Sequence, residues 1–268
     1  MGQVVKNSKI EWTEHTFNPW RGCTKVSDGC ANCYADFMSQ RNPKVLGIWG
    51  KNGTRVTASE SKWHEPLEWD RESRVSGIRA KVFCASLADI FEGIETMPSS
   101  AVDAVEQARS RLWGLIQRTP NLDWLLLTKR PENIAKMIPA EWLGNPLTNV
   151  WYGSSVENQA MADRRIPLLK AVPAHIRFLS CEPLLGRIQL ELSDIDWVIV
   201  GGESGAGARP MSADWVQDIK YQCERAGVPL FFKQWGKPAS NPNPQDYTIG
   251  LSKGGYLLDG VVHRQFPA

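Results

Sequence analysis

From residue 81 onward, short apolar runs alternate with amphipathic stretches, and this alternation limits the fold more than any other property of the chain. The runs occupy 81–87, 123–129, 149–155, 176–181, 196–201 and 228–234. Most are nearly continuous in Val, Ile, Leu, Phe and Trp, as strands covered on both faces must be. Between them, 101–118, 131–138, 159–171 and 213–226 place apolar residues at helical spacing. Strand–helix alternation predicts an α/β fold built on a parallel sheet. A further strand at 9–13 would make seven βα units. That number favours a partial or open (β/α) barrel of six to seven parallel strands over a doubly wound sheet, because no break in composition marks a switch point.

The remaining segments are less regular. A helix is expected over 31–41, with Tyr34, Phe37 and Met38 at i, i+3, i+4 as its apolar face and Pro43 as its stop. Residues 42–80 are polar and dotted with Trp49, Trp63 and Trp69, without sustained periodicity, and read as an insertion or lid-like excursion. After Pro238, the segments around Tyr247 and from Gly255 to Val261 predict a small β-hairpin. The expected organisation is therefore a barrel over 1–237 with an insertion at about 42–80, followed by a C-terminal β extension over 238–268.

Composition adds bounds. In 268 residues, 42% hydrophobic and 22% charged content suits a globular enzyme with a sizeable core. A net charge of +2 demands no nucleic-acid partner. The twelve tryptophans are expected mostly in the core, with a minority available to stack on a base or an adenine ring. The opening residues carry no apolar run of the kind a signal peptide needs, Lys6 stands where myristoylation wants Ser or Thr, and no apolar stretch is long enough for a membrane span. Six cysteines, half of them in one short segment, point to a reducing cytoplasm rather than to disulfides.

Function in parallel sheets collects at the carboxyl ends of the strands. Here those ends supply Ser86 and Asp89; Thr128, Lys129 and Arg130; Ser154, Ser155, Glu157 and Asn158; Ser180, Cys181 and Glu182; Gly201-Gly202-Glu203-Ser204-Gly205; and Lys233, Gln234 and Trp235. Asp89, Ser155 and Ser204 are also capable helix caps. The long charged side chains are not, and burying them is costly unless they are paired or meet a ligand. The Gly-Gly-Glu-Ser-Gly stretch, with Arg209 close by, reads as a turn able to cradle a polar small molecule. Its glycine spacing is not that of a dinucleotide fold.

Cys23, Cys30 and Cys33 stand in Cys-x6-Cys-x2-Cys, just after the first expected strand. Three thiolates on one loop make a metal or cluster site with a position left open. Two readings remain at this point: a structural zinc closed by a fourth ligand such as His15, or an iron–sulfur site at the barrel mouth. A zinc ribbon would want a second Cys-x2-Cys, and Cys84, Cys181 and Cys223 are scattered. Cys84 and Cys223 are expected as buried filler.

The three-cysteine loop resembles the radical S-adenosylmethionine (SAM) superfamily, in which three thiolates hold a 4Fe-4S cluster and the fourth iron is left to SAM. The superfamily's usual first gap is three residues with an aromatic residue before the third cysteine. Here the gap is six, Asn32 precedes Cys33, and Tyr34 follows it. The superfamily's Gly-Gly-Glu follows the second strand, where this chain has Ala85-Ser86-Leu87-Ala88-Asp89, so Gly201-Gly202-Glu203 is not carried over. More closely, the chain resembles a phage- and bacterium-encoded family of unknown function. The shared motifs are Asn18-Pro-Trp-x-Gly-Cys23, Gly29-Cys-x-x-Cys-Tyr-Ala35, Leu127-Thr-Lys-Arg130, Ser180-Cys-Glu-Pro-Leu184 and Gly201-Gly-Glu-Ser-Gly205.

The superfamily resemblance implies Cys23, Cys30 and Cys33 as cluster ligands, SAM as cofactor, and an electron donor such as flavodoxin or ferredoxin as partner. Ser154, Ser155, Glu157 and Asn158 then suit the SAM ribose, Lys129 or Arg130 its carboxylate, and Asp89 a hydroxyl or amine. Glu182, Glu203 and Lys233, with Gln234, are left for catalysis and substrate orientation. Phage association, with Trp20 and Trp235 expected near the mouth, favours a nucleobase or nucleic acid as substrate. The alternatives are a zinc-stabilised nucleic-acid-binding protein without catalysis and an iron–sulfur electron carrier.

Overall fold

The computed structural model describes residues 7–205, 207–243 and 254–268. Its first elements are β1 (His15–Thr16), β2 (Trp20–Arg21), α1 (Tyr34–Arg41), α2 (Pro43–Leu46), β3 (Val56–Thr57), α3 (Glu60–Ser76), β4 (Ala80–Cys84), α4 (Val102–Arg118) and β5 (Leu122–Thr128). There follow α5 (Ile134–Met137), α6 (Ala140–Gly144), β6 (Val150–Ser155), α7 (Gln159–Lys170), β7 (Ile176–Cys181), β8 (Trp197–Gly201), α8 (Ala213–Ala226), β9 (Leu230–Gln234), β10 (Leu257–Leu258) and β11 (Val261–Val262). One seven-stranded sheet has the order β1-β4-β5-β6-β7-β8-β9, a parallel half-barrel in which each strand is laid beside its predecessor. This is the expected α/β architecture. No helix among the described residues is long and apolar enough to cross a membrane.

The chain divides into two compact units. The first contains the chain up to Val26, Ala35–Tyr152 and Pro173–His175; the second contains Ser27–Tyr34, Gly153–Val172 and everything from Ile176 onward.

In the first unit β1, β4 and β5 run parallel, with His15 opposite Val82 and Val82 opposite Trp124. Val82, Cys84, Leu122, Trp124, Leu125 and Leu126 are fully buried, which explains why these strands read as unbroken apolar runs. α4 buries Val105, Ala108, Leu112, Leu115 and Ile116, a stripe at helical spacing.

Three local expectations for this unit need correction. The first strand is His15–Thr16, not 9–13. The Ser8 hydroxyl accepts from the Ile10 N–H and the Thr13 hydroxyl, and the Thr13 N–H donates to Ile10 O, so the earlier segment is tied into a turn. The stretch 42–80 contains the 17-residue helix α3, which lies in sequence between the parallel partners β1 and β4. Its buried Trp63, Pro66, Trp69 and Ser73 keep helical spacing, hidden in the sequence by the charged residues around them. Helix α1 starts at Tyr34 rather than 31 and buries Ala35 and Ser39. Phe37, expected on its apolar face, is 50% exposed.

In the second unit β7, β8 and β9 are parallel, with Cys181 opposite Val200 and Gly201 opposite Gln234. The C-terminal residues cover the free edge of β9: the Phe232 N–H donates to His263 O at 2.7 Å and the Gln265 N–H to Leu230 O at 3.1 Å. A covered edge removes a template for unwanted pairing. β10 and β11 form the expected antiparallel hairpin, joined through Asp259 and Gly260, both at positive φ. The strand expected around Tyr247 lies outside the described residues.

Candidate functional site

In the first unit, the polar ends of β4 and β5 converge on the first cysteine. Asp89 uses both carboxylate oxygens within the protein. Its Oδ1 accepts from Thr128 Oγ1 at 2.7 Å and from the Phe91 N–H at 3.0 Å. Its Oδ2 accepts from Arg130 Nη1 at 2.9 Å and from the Lys129 N–H at 3.1 Å. Burial opposes the charge of Asp89, but Arg130, Thr128 and the two backbone N–H groups outweigh it and hold the carboxyl below its usual range.

Arg130 then reaches the cysteine segment. Nη1 lies 3.7 Å from Cys23 Sγ, and Nη2 donates to Thr24 O at 2.7 Å. Glu92 approaches from the same loop as Asp89: its carboxylate takes a two-pronged pair from Arg55 at 2.7 and 2.8 Å and the Thr24 N–H at 2.9 Å. Two guanidinium groups and two carboxylates, all buried, thus fix Cys23 and Thr24. Burial pushes the Cys23 thiol up to about 12, against the pull of Arg130. Sequence reasoning missed Arg55 and Glu92, because no local pattern relates residues 37 positions apart.

In the second unit, the other two thiols share one turn. The Cys30 N–H donates to Ser27 O and the Cys33 N–H to Cys30 O. Three side chains hold that turn. Glu157, after β6, accepts the Gly29 N–H at 3.2 Å and is itself paired with Arg165 at 2.7 Å. Gly29 permits this approach, since a Cβ there would lie 2.8 Å from the Glu157 carboxyl carbon. Glu203, after β8, accepts from Asn32 Nδ2 at 2.9 Å and from Arg209 Nη2 at 2.6 Å, and Arg209 also donates to Asp28 O. Burial works against the charge of Glu203, yet the bonds from Arg209 and Asn32 prevail and lower its pKa. Glu157 and Glu203, assigned from sequence to ribose and substrate, are therefore engaged with the thiol-bearing turn.

A third group joins the ends of β7 and β9. Lys233 Nζ donates to both oxygens of Glu182, at 2.6 and 2.8 Å, and Gln234 Nε2 lies 3.3 Å from Glu182 Oε1.

The other expected residues fall as follows. Asn158 caps α7, its side chain accepting the Met161 N–H at 3.0 Å. Ser154 and Ser155 are buried within β6, and Lys129 is half-buried beside Arg130. Trp20 and Trp235, expected at the mouth, are buried, and the indole N–H of Trp235 donates to Leu257 O, so neither ring offers a face for stacking. Ten of the twelve tryptophans are core residues. Cys84 and Cys223 are buried, as expected of filler.

The donor chemistry suits a thiolate-bound metal. Among the described residues none of the three motif cysteines is in a disulfide. A guanidinium beside Cys23 is the kind of group that offsets a ligand thiolate's charge. Among the described residues, no three His, Cys, Asp or Glu side chains are gathered into a ready-made metal site. His15 stacks on Trp69 at 4.2 Å, and neither of its ring nitrogens has a hydrogen-bond partner among the described residues.

The family described as "Protein of unknown function (DUF5131)" matches residues 7–267, and the chain belongs to it. No curated protein and no solved structure matches the chain.

Proposed function

We propose that this DUF5131 family member is an iron–sulfur enzyme that reductively cleaves SAM to act on a further substrate, with a nucleobase as the favoured class. The observation that carries the reading is the set of three cysteines at x6 and x2 spacing, none in a disulfide among the described residues, with the ends of successive parallel strands lined by charged side chains. Cys23, Cys30 and Cys33 would hold the cluster. When bound, the cluster would supply the electron that breaks a carbon–sulfur bond of SAM.

The chain's own residues take the remaining roles. Arg130, next to Cys23, offsets ligand charge. Lys129 is assigned to the SAM carboxylate. Glu157 and Glu203 keep the turn of Cys30 and Cys33 in place. Ser154 and Ser155 are assigned to hydroxyl groups of SAM. Glu182, Lys233 and Gln234 are assigned to the substrate.

Anaerobic purification with iron and sulfide loading, followed by metal analysis, tests the reading. It expects a brown protein with roughly four irons per chain and release of deoxyadenosine from SAM on reduction. Cys30→Ala should lose both colour and cleavage. One tightly held zinc with no SAM turnover would replace this reading with that of a zinc-stabilised nucleic-acid-binding protein.

A further inference from the structure

From Phe37 to Ser59 the chain carries Arg41, Lys44, Lys51 and Arg55 and no acidic residue, in a protein whose charges otherwise nearly balance. The acids that bracket this run are already engaged, Asp36 with Lys25 at 2.8 Å and Glu60 with Arg111 at 2.6 and 2.7 Å. Arg55 is buried against Glu92. Arg41, Lys44 and Lys51 are exposed and make no ion pair among the described residues. Unpaired cations in one short run create a local positive field that the total charge conceals.

The same run exposes large apolar groups. Phe37 and Met38 on α1, Val45 on α2 and Ile48 just beyond it are 46–55% exposed. One such side chain needs no explanation, but a concentration on adjoining elements marks an interaction surface. The two helices are joined by Asn42 alone, whose N–H donates to Met38 O and whose carbonyl accepts the Leu46 N–H. The Arg41 guanidinium carbon lies over the Phe37 ring at 4.5 Å from its centroid, and Phe37 still stays half exposed. The run is also anchored. The Ile48 N–H donates to Thr54 Oγ1 at 2.8 Å and the Thr54 N–H to Ile48 O at 2.7 Å, which closes the loop that carries Lys51. The Gly50 N–H donates to Cys23 O at 2.9 Å, and Arg55 donates to Gly50 O and Thr24 Oγ1. The cationic run thus ends against the first motif cysteine.

We infer that α1, α2 and the loop to Thr54 dock a single-stranded nucleic acid, with a base stacked on Phe37 and phosphates paired with Arg41, Lys44 and Lys51. Exposed aromatic rings among cations are how sequence-tolerant single-strand sites are built, the ring meeting the base and the cations the backbone. A duplex keeps its base faces stacked inside and offers Phe37 nothing. An anionic membrane fits less well: the two helices are short, and exposed Gln40 and Asn42 interrupt their apolar residues, so no continuous face is available for insertion. The inference rests on the proposed function in taking a nucleobase as substrate, and it names the polymer that carries the base. The docking itself requires no cluster.

Fluorescence anisotropy of labelled DNA and RNA strands of about ten nucleotides, titrated with the full chain as isolated and after iron loading, tests it. At least one strand should bind in at least one form, with log K falling against log salt at a slope near −2, about −0.7 for each of three phosphates. Phe37→Ala should weaken binding by about tenfold. An abasic strand should bind the unmutated protein more weakly by a similar factor, and this arm needs no variant. Lys44→Gln should reduce the salt slope by about 0.7. Equal binding of the abasic and natural strands overturns the inference, as does a duplex that binds as well as its single strand. So does the absence of strand binding up to about 100 μM at low salt, or binding of phosphatidylserine vesicles in place of either strand. Iron content and deoxyadenosine release are read separately, so failure here is distinct from failure of the SAM-cleaving reading.

Discussion

His15 makes the stability of the first unit sensitive to acid, and the size of the effect follows from its surroundings. His15 is 1% exposed, its ring stacked on Trp69 with neither nitrogen hydrogen-bonded among the described residues. Burial therefore penalises the charged form, and the nearby Glu14 and Glu65 offset only part of it, so the pKa falls from 6.5 to about 4. The unfolded chain takes up a proton below 6.5, which the folded ring accepts only near 4. The folded state is thus fully favoured above the unfolded value and loses that advantage as pH falls through this window. At 1.36 kcal/mol per pH unit, the complete loss is about 3 kcal/mol, and about 2 kcal/mol of it is gone by pH 5. His15→Phe keeps an aromatic ring against Trp69 and removes the titration. Urea unfolding at pH 7.5 and pH 5, followed by tryptophan fluorescence, should show the natural protein losing about 2 kcal/mol more than the variant. All other titrating groups are common to both proteins, so the difference isolates this ring. Equal losses in the two proteins would refute the reasoning.

Arg55→Leu should destabilise the first unit by about 3–5 kcal/mol in denaturant unfolding, because Glu92 would stay buried with its main counter-charge gone. The double variant Arg55→Leu/Glu92→Leu should recover much of that loss, and no recovery would assign the cost to packing instead. Gly29→Ala drives a methyl group against Glu157 and should push the cysteine turn from its seat. In metal-free protein, iodoacetamide should then modify Cys30 and Cys33 several-fold faster while Cys23, held among Arg130, Glu92 and Thr24, keeps its rate. Unchanged rates at Cys30 and Cys33 would show that Glu157 does not position the turn.

The sequence by itself determined the strands β4 to β9, the helices α4 and α8, and the list of polar residues at the strand ends. Each is written in consecutive residues: unbroken apolar runs where both faces are covered, a 3.6-residue period where one face is. The cysteine spacing was equally legible. Tertiary structure alone decided what those groups do. It turned Phe37 outward and Ala35 inward on α1, and it buried the rings of Trp20 and Trp235. It joined Arg55 to Glu92, Asn32 to Glu203, and Glu157 to the backbone of Gly29. Only the finished packing brings Lys233, on β9, against Glu182 after β7. Periodicity is a property of neighbours in the chain. A charge finds its partner only after strands far apart in sequence have been laid side by side, and no local pattern records which ends will meet.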